Sequence, residues 1–308
     1  MKRRHFLTLT AAAAVTAGLA PRSRAAARTT GPHLATNTYP WGTFARRDGK
    51  TFVANTDDAL ATVASSGITG YEPALTAASA FDGLAARLKQ HGLEMRSFYV
   101  NSVLHDPAQA EKSIADVLTI ARRAGETGTK IIVTNPSPLR GGGTDAKTDA
   151  QLRDQAQALD RLGAELRKLG IALAYHNHDV ELRHGAREYH HMLTATDPQN
   201  VKFCLDAHWV FRGCGNSQVA LFDTLEHYGA RIVELHLRQS RGGVWTEVFS
   251  AEGDIDYARL AGWLERKRMK PHLVLEQAVE KDSPKTLDGV AAHRQSLANA
   301  RQVFAALG

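Results

Sequence analysis

Leu173-Ala174-Tyr175-His176-Asn177-His178, Phe203-Cys204-Leu205-Asp206-Ala207-His208, Val233-Glu234-Leu235-His236-Leu237-Arg238 and His272-Leu273-Val274-Leu275-Glu276 are four short apolar runs, each reaching a polar residue at its end. The four polar residues His176, Asp206, His236 and Glu276 follow one another at intervals of 30, 30 and 40 residues. Such an interval is the length of one strand-helix unit, so a chain of these units sets the four polar ends side by side. Residues i and i+2 of a strand point to one side. His176 with His178, Asp206 with His208, and His236 with Arg238 are therefore expected to face one way in each strand.

Working outward, runs suited to buried parallel strands recur along the chain: Leu34 to Asn37, Ile68 to Glu72, Met95 to Val100, Lys130 to Thr134, Ile171 to His176, Val201 to Asp206, Ile232 to His236 and His272 to Glu276. Ala/Leu/Arg-rich helical stretches separate them, from Thr56 to Ser66 through to Val290 to Leu307, and Gly67, Gly92, Gly170 and Gly229 punctuate helix ends. Eight alternating strand-helix repeats with one composition regime predict a parallel sheet closed into a (β/α)8 TIM barrel, a single domain over residues 28–308. In such a barrel the working residues lie at the C-terminal ends of strands.

Residues 1–27 read as a twin-arginine export signal: Met1-Lys2-Arg3-Arg4-His5-Phe6-Leu7, an apolar stretch to Ala20, then Ala25-Ala26-Ala27 as a cleavage site. Export by this route predicts a periplasmic or secreted protein that folds, and loads any metal, before it leaves the cytoplasm. Five of the 38 basic residues would leave with the signal, so 33 remain against 32 acidic ones. The formal net charge of +6 thus belongs mostly to the leader, and the body lacks a basic footprint for nucleic acid. No later stretch is apolar enough to hold the mature chain in a membrane. Two cysteines, Cys204 and Cys214, are too few for a disulfide framework; Cys204 reads as a small buried thiol, and a bridge between the two is left open. Gly141-Gly142-Gly143 forms neither a Walker loop nor a dinucleotide fingerprint.

A mixed nitrogen and oxygen donor set from His176, Asp206, His236 and Glu276 suits Mn²⁺, Co²⁺, Zn²⁺ or Fe²⁺ better than Ca²⁺ or Mg²⁺. His178 and His208, sharing a face with ligand candidates, are the first choices for acid/base work, with ligand orientation as the plainer role. Arg238 is placed to bind an anionic or hydroxyl-rich substrate, and Glu72 to accept from sugar hydroxyls. Trp41, Trp209 and Trp245 fall just past strand ends, where a flat apolar face can stack on a sugar ring. Glu247 lies in the long loop between Arg238 and Asp254, a candidate to close over the site.

Gly70-Tyr71-Glu72, Tyr175-His176-Asn177-His178 with Glu181, Leu205-Asp206-Ala207-His208, Glu234-Leu235-His236, Gly253-Asp254-Ile255-Asp256-Tyr257 and Leu275-Glu276 together carry a resemblance. The chain resembles the sugar phosphate isomerase/epimerase family with the xylose-isomerase-like TIM barrel, over nearly all of its mature length. The resemblance implies a divalent metal, Mn²⁺ first, held by Glu, Asp, His and Glu at successive strand ends. Asp206, His236 and Glu276 match that pattern. His176 stands where the first glutamate would be, and Glu181 is the alternative strand-five ligand or base. The activity implied is isomerisation or epimerisation by proton abstraction next to the carbonyl of a sugar. A dehydratase or lyase acting on a keto-sugar, keto-glycoside or cyclic keto-polyol is the runner-up, favoured by the histidine at strand five, because elimination needs one base and one acid. An exported sugar-binding barrel without chemistry is the third reading. DNA repair nucleases share the barrel but need a basic groove that this chain lacks. The sequence leaves the oligomeric state open.

Overall fold

The computed structural model describes residues 31–139 and 145–308. The export signal read at residues 1–27 and the Gly141-Gly142-Gly143 run lie outside the described residues. Strands one to eight span Leu34–Asn37, Gly70–Glu72, Ser97–Tyr99, Ile131–Thr134, Ala172–His176, Val201–Asp206, Ile232–Leu237 and His272–Leu275. All pair in parallel, in the order two, one, eight, seven, six, five, four, three. The seam between strands two and three is crossed by the bridges Gly70 to Glu94 and Ala74 to Tyr99, with Tyr71 N and Leu75 N each donating at 2.8 Å. The sheet is thereby closed into the (β/α)8 barrel that the repeat of strands and helices predicts.

Side-chain alternation explains why these runs are half apolar and half polar. Leu173, Tyr175, Phe203, Leu205, Leu235 and Leu237 turn outward into the core against the helices and are at most 1% exposed. Each such leucine contributes about 1.5–3 kcal/mol by leaving water. The alternate residues Ala174, His176, Cys204, Asp206, Glu234 and His236 turn toward the barrel axis. Small interior residues Val133, Ala174 and Cys204 pack together below the polar ends.

Among the helices, Asp149–Lys168 is the longest and is opened by a capping box of Thr148 and Gln151. Gly170 follows it with φ 73°, the left-handed conformation glycine takes without strain. Gly229 has an ordinary φ of its own; there a Cβ would run into the Trp263 ring. Both thiols are free, so the bridge left open by the sequence is not formed. Among the described residues no helix is long and apolar enough to cross a membrane.

Three elements at the C-terminal face were not foreseen. Helix Thr38–Arg47 starts directly after strand one, and helix Ala207–Gly213 directly after strand six. A two-stranded antiparallel ribbon, Ser240–Arg241 with Val244–Trp245, follows strand seven. Asp254, from the Gly253-Asp254-Ile255-Asp256 piece, ties this ribbon down by accepting from Gly242 N at 2.9 Å, Gly243 N at 2.7 Å and Ser240 Oγ at 2.7 Å.

Candidate metal centre

Sheet register brings the polar ends together. Asp206 is level with His236, His176 is level with Cys204, and Glu276 follows Leu275 with its N donating to Leu237 O at 3.0 Å. Ligand atoms of His176, Asp206, His236 and Glu276 lie within 4.8 Å of one another, and all four residues are buried. His236 is the pivot. Its Nδ1 is 3.4 Å from Glu276 Oε2, while its Nε2 is 3.1 Å from Glu72 Oε1 and 3.2 Å from Glu234 Oε1. Two carboxyl groups at Nε2 hold a proton there. Burial opposes the charge, but Cys204, Glu72 and Glu276 push His236 well above the ordinary histidine range, so Nδ1, which faces Glu276, carries a proton that a metal would have to displace.

The donor set fits a divalent transition metal. Asp206 uses Oδ1 to accept from Trp209 N at 2.9 Å, capping the helix that follows, and its buried Oδ2 has no hydrogen-bond partner among the described residues. His236 Nδ1 is likewise buried and without one. Buried polar atoms left unpaired cost about 1–3 kcal/mol each, so Asp206 Oδ2 is an acceptor that a cation would satisfy, and His236 Nδ1 becomes a second once its proton leaves. Burial holds His176 well below the ordinary histidine range, helped by His236 and His178, so its ring is neutral as a ligand must be. Glu276 is held well below the carboxylate range: burial opposes this, but Arg238 and His236 outweigh it.

Below His236 lies a support layer. Glu72 Oε2 accepts from Ser97 Oγ at 2.6 Å. Burial and the Glu72 charge push Glu234 well above the ordinary range, so it keeps its proton, whereas His236 and Ser97 keep Glu72 ionised in spite of burial. Cys204 Sγ touches both His176 Nδ1 at 3.6 Å and Glu234 Oε1 at 3.7 Å.

Above the cluster opens a cavity of about 350 Å³, a size suited to a small ligand, walled by Asn37, Tyr39, Tyr99, His178, Trp209 and Arg238 with Glu72, His176 and Glu276 below. Arg238 is fully buried. Its Nη2 lies 2.8 Å from Glu276 Oε2, and its guanidinium sits 4.2 Å from the Trp245 ring and 5.0 Å from the Trp209 ring. Burial lowers His178 to about 4, although Glu276 opposes this, so at neutral pH the ring is unprotonated.

Several residues singled out in the sequence stand elsewhere. His208 does not line the cavity; its Nε2 is 3.0 Å from Ser240 Oγ, under the ribbon. The chain turns helical at Ala207, so the expected i, i+2 alternation ends there. Glu181 accepts from His178 N at 2.7 Å through Oε2 and does not join the ligand cluster. Trp41 is on the helix after strand one and stacks on His293 at 3.9 Å within the core. Trp245 backs Arg238 and is not itself a wall of the cavity. Glu247 binds Arg47 at 2.6 Å and Thr286, stitching two loops together. Glu72 reaches the cavity floor, but His236 and Ser97 take up its oxygens. Sequence reasoning missed Asn37, Tyr39, Tyr99 and Glu234. Asn37 is a polar residue ending strand one, the same signal that marked the ligands, and Glu234 precedes His236 by two.

The sequence profile described as the xylose isomerase-like TIM barrel matches residues 60–302. An inosose dehydratase of Geobacillus kaustophilus is 26% identical over 191 residues, covering 58% of this chain; the chain spans 60% of that relative's length. A sugar phosphate isomerase/epimerase from Parabacteroides distasonis superposes with a TM-score of 0.67 at 18% identity, over 92% of this chain and 97% of the other. A 3-keto-D-glucoside 4-epimerase from E. coli gives 0.61 at 15% identity, over 88% and 99%. At these identities both structures speak for the fold alone.

Proposed function

Because this chain belongs to the xylose isomerase-like TIM barrel family, we propose that it is a divalent-metal-dependent isomerase or epimerase acting next to the carbonyl of a sugar or sugar derivative. The observation that carries this reading is the convergence of His176, Asp206, His236 and Glu276 beneath the cavity, with Asp206 Oδ2 and His236 Nδ1 unpartnered. A divalent cation held by these four residues, Mn²⁺ in the first place, would supply the positive charge that acidifies a proton beside a carbonyl and stabilises the oxyanion left behind. His178, unprotonated and facing the cavity, is positioned to take that proton. Trp209 offers an apolar face for the sugar ring, and Arg238 stands beside it as a donor. Glu72 and Glu234 keep His236 in the tautomer a ligand needs.

Elimination is the second reading. A specific feature favours it: strand five contributes His176, so the cavity does not present two carboxylates of equal standing for a two-base epimerisation. The dehydratase relative points the same way. Incubating the Mn²⁺-loaded protein with keto-sugars and keto-polyols in D₂O separates the two by mass. Deuterium at the reacting carbon with an unchanged skeleton marks the isomerase, and loss of water or of a glycosyl group marks the lyase. No exchange and no turnover with any substrate would leave the sugar-binding barrel as the better account.

Export by the twin-arginine route also belongs to this proposal, on the strength of Arg3-Arg4 ahead of Phe6-Leu7. Replacing both arginines by lysine should leave folded precursor in the cytoplasm; unchanged delivery would refute that route.

A further inference from the structure

We propose that Asn37 and Arg238 form a paired hydroxyl clamp on either side of Glu276, which selects a keto-sugar, keto-glycoside or keto-polyol with two adjacent free oxygens, neither of them phosphorylated. This deepens the function proposed above and rests on it. Asn37 Nδ2 donates to Glu276 Oε1 at 2.8 Å, and Arg238 Nη2 lies 2.8 Å from Glu276 Oε2. Arg238 Nε donates in addition to Glu276 O at 3.0 Å. The Asn37 amide is oriented by this contact, because the flipped form would set its carbonyl oxygen against a carboxylate.

Each residue keeps one polar atom in reserve. Asn37 Oδ1 and Arg238 Nη1 are buried and have no hydrogen-bond partner among the described residues, and both side chains line the cavity. Leaving them so costs about 1–3 kcal/mol apiece, an amount a bound ligand can return. The two atoms ask for opposite things. Asn37 Oδ1 requires a hydrogen, which a sugar hydroxyl carries; Arg238 Nη1 requires an oxygen lone pair, which a carbonyl or neighbouring hydroxyl carries. A phosphate dianion at either of these two positions has no hydrogen for Asn37 and would stand against the Glu276 carboxylate, so the clamped oxygens must be free. Arg238 already spends its charge on Glu276 and lies against the Trp209 and Trp245 rings, so it acts as an oriented donor.

The test is calorimetric titration of the Mn²⁺-loaded full chain with inosose and 3-keto-D-glucoside, their monodeoxy analogues and their monoesters phosphorylated next to the carbonyl. The neutral parents should bind more tightly than the phosphates, and at least one deoxy analogue should bind roughly 10–100-fold more weakly than its parent. Asn37→Ala, with Asn37→Ser as a second variant in case of misfolding, should bind the parent that much more weakly and no longer distinguish it from that analogue, when the proteins are compared at equal metal loading. Retained discrimination in both variants overturns the clamp, as does tighter binding of a phosphate or no binding of either parent. If the parents bind and discriminate as expected yet never exchange a proton in D₂O, the clamp stands and the isomerase reading falls.

Discussion

One imidazole separates two carboxyl pairs of nearly the same composition. On the Nε2 side of His236 lie Glu72 and Glu234, both 0% exposed, closed by Ser97 and by the proton Glu234 retains. On the Nδ1 side lie Asp206 and Glu276, gripped by a helix N-terminus, Asn37 and Arg238; one member of each pair, Glu72 and Glu276, reaches the cavity. The difference teaches that residue type does not make a metal site. Burial, with Glu72 beside it, keeps a proton on Glu234, and burial also raises Asp206 to about 7. What sets the second pair apart is that Asp206 Oδ2 is unpartnered and lies within reach of His176, His236 and Glu276, where a cation could take the place of the proton.

Breaking the open side should have the largest effect. Asp206→Ala or Glu276→Ala is expected to empty the site and lower turnover by on the order of 10³-fold or more, read by elemental analysis alongside kcat; full metal occupancy in both variants would erase the distinction between the two sides. Next comes His178→Asn, expected to keep the metal while kcat falls by roughly 10²–10⁴-fold. A loss of metal instead would make His178 a ligand.

A pH effect sharpens the contrast from a neighbouring loop. Burial first, then Glu188, raises Glu181 from 4.5 to about 7. Between those values the folded chain keeps a proton that the unfolded chain has released. The stability tied to this group is therefore complete below pH 4.5 and declines as pH rises toward 7, by up to about 3 kcal/mol. Glu181→Gln, neutral at every pH, should flatten that part of the denaturation profile, and an unchanged slope would refute the assignment. The closed pair should give the smallest effects, in a telling order. Glu72→Gln removes the ion that holds His236 and is expected to weaken metal binding by roughly 10–100-fold. Glu234→Gln imitates a group already protonated and should change the metal Kd only a few-fold. Equal losses in the two variants would mean that the proton is not on Glu234.

The barrel was legible because its signal is local and repeated. Strand six and strand one were read to the residue, since an apolar outward face and a polar inward end leave little choice of register. The candidate ligands His176, Asp206, His236 and Glu276, which the structure brings together, were read from the same alternation. His208 and Trp41 were misplaced for one reason: each lies past a strand end in a helix that starts without a loop, where two residues turn a side chain through about 200° in place of a strand's two-residue repeat. Helix Thr38–Arg47 contains Pro40 and Gly42, which obscure a helical pattern in the sequence. Glu181 and Glu247 were taken for site residues because a lone acid in a loop carries no sign of whether it will meet a substrate, a backbone N–H or an arginine.

By itself the sequence determined the strands, their inward and outward faces, and the four residues that end beside one another, because side-chain period and strand spacing are properties of a short stretch of chain. Only the tertiary structure decided that Asn37 and Arg238 take one oxygen each of Glu276, that Glu234 keeps its proton while Glu72 is ionised beneath His236, and that Trp245 backs Arg238 while Trp209 faces the cavity. Those contacts join residues up to 239 positions apart, and which atom of a carboxylate meets which donor depends on barrel tilt and register, which no single stretch contains.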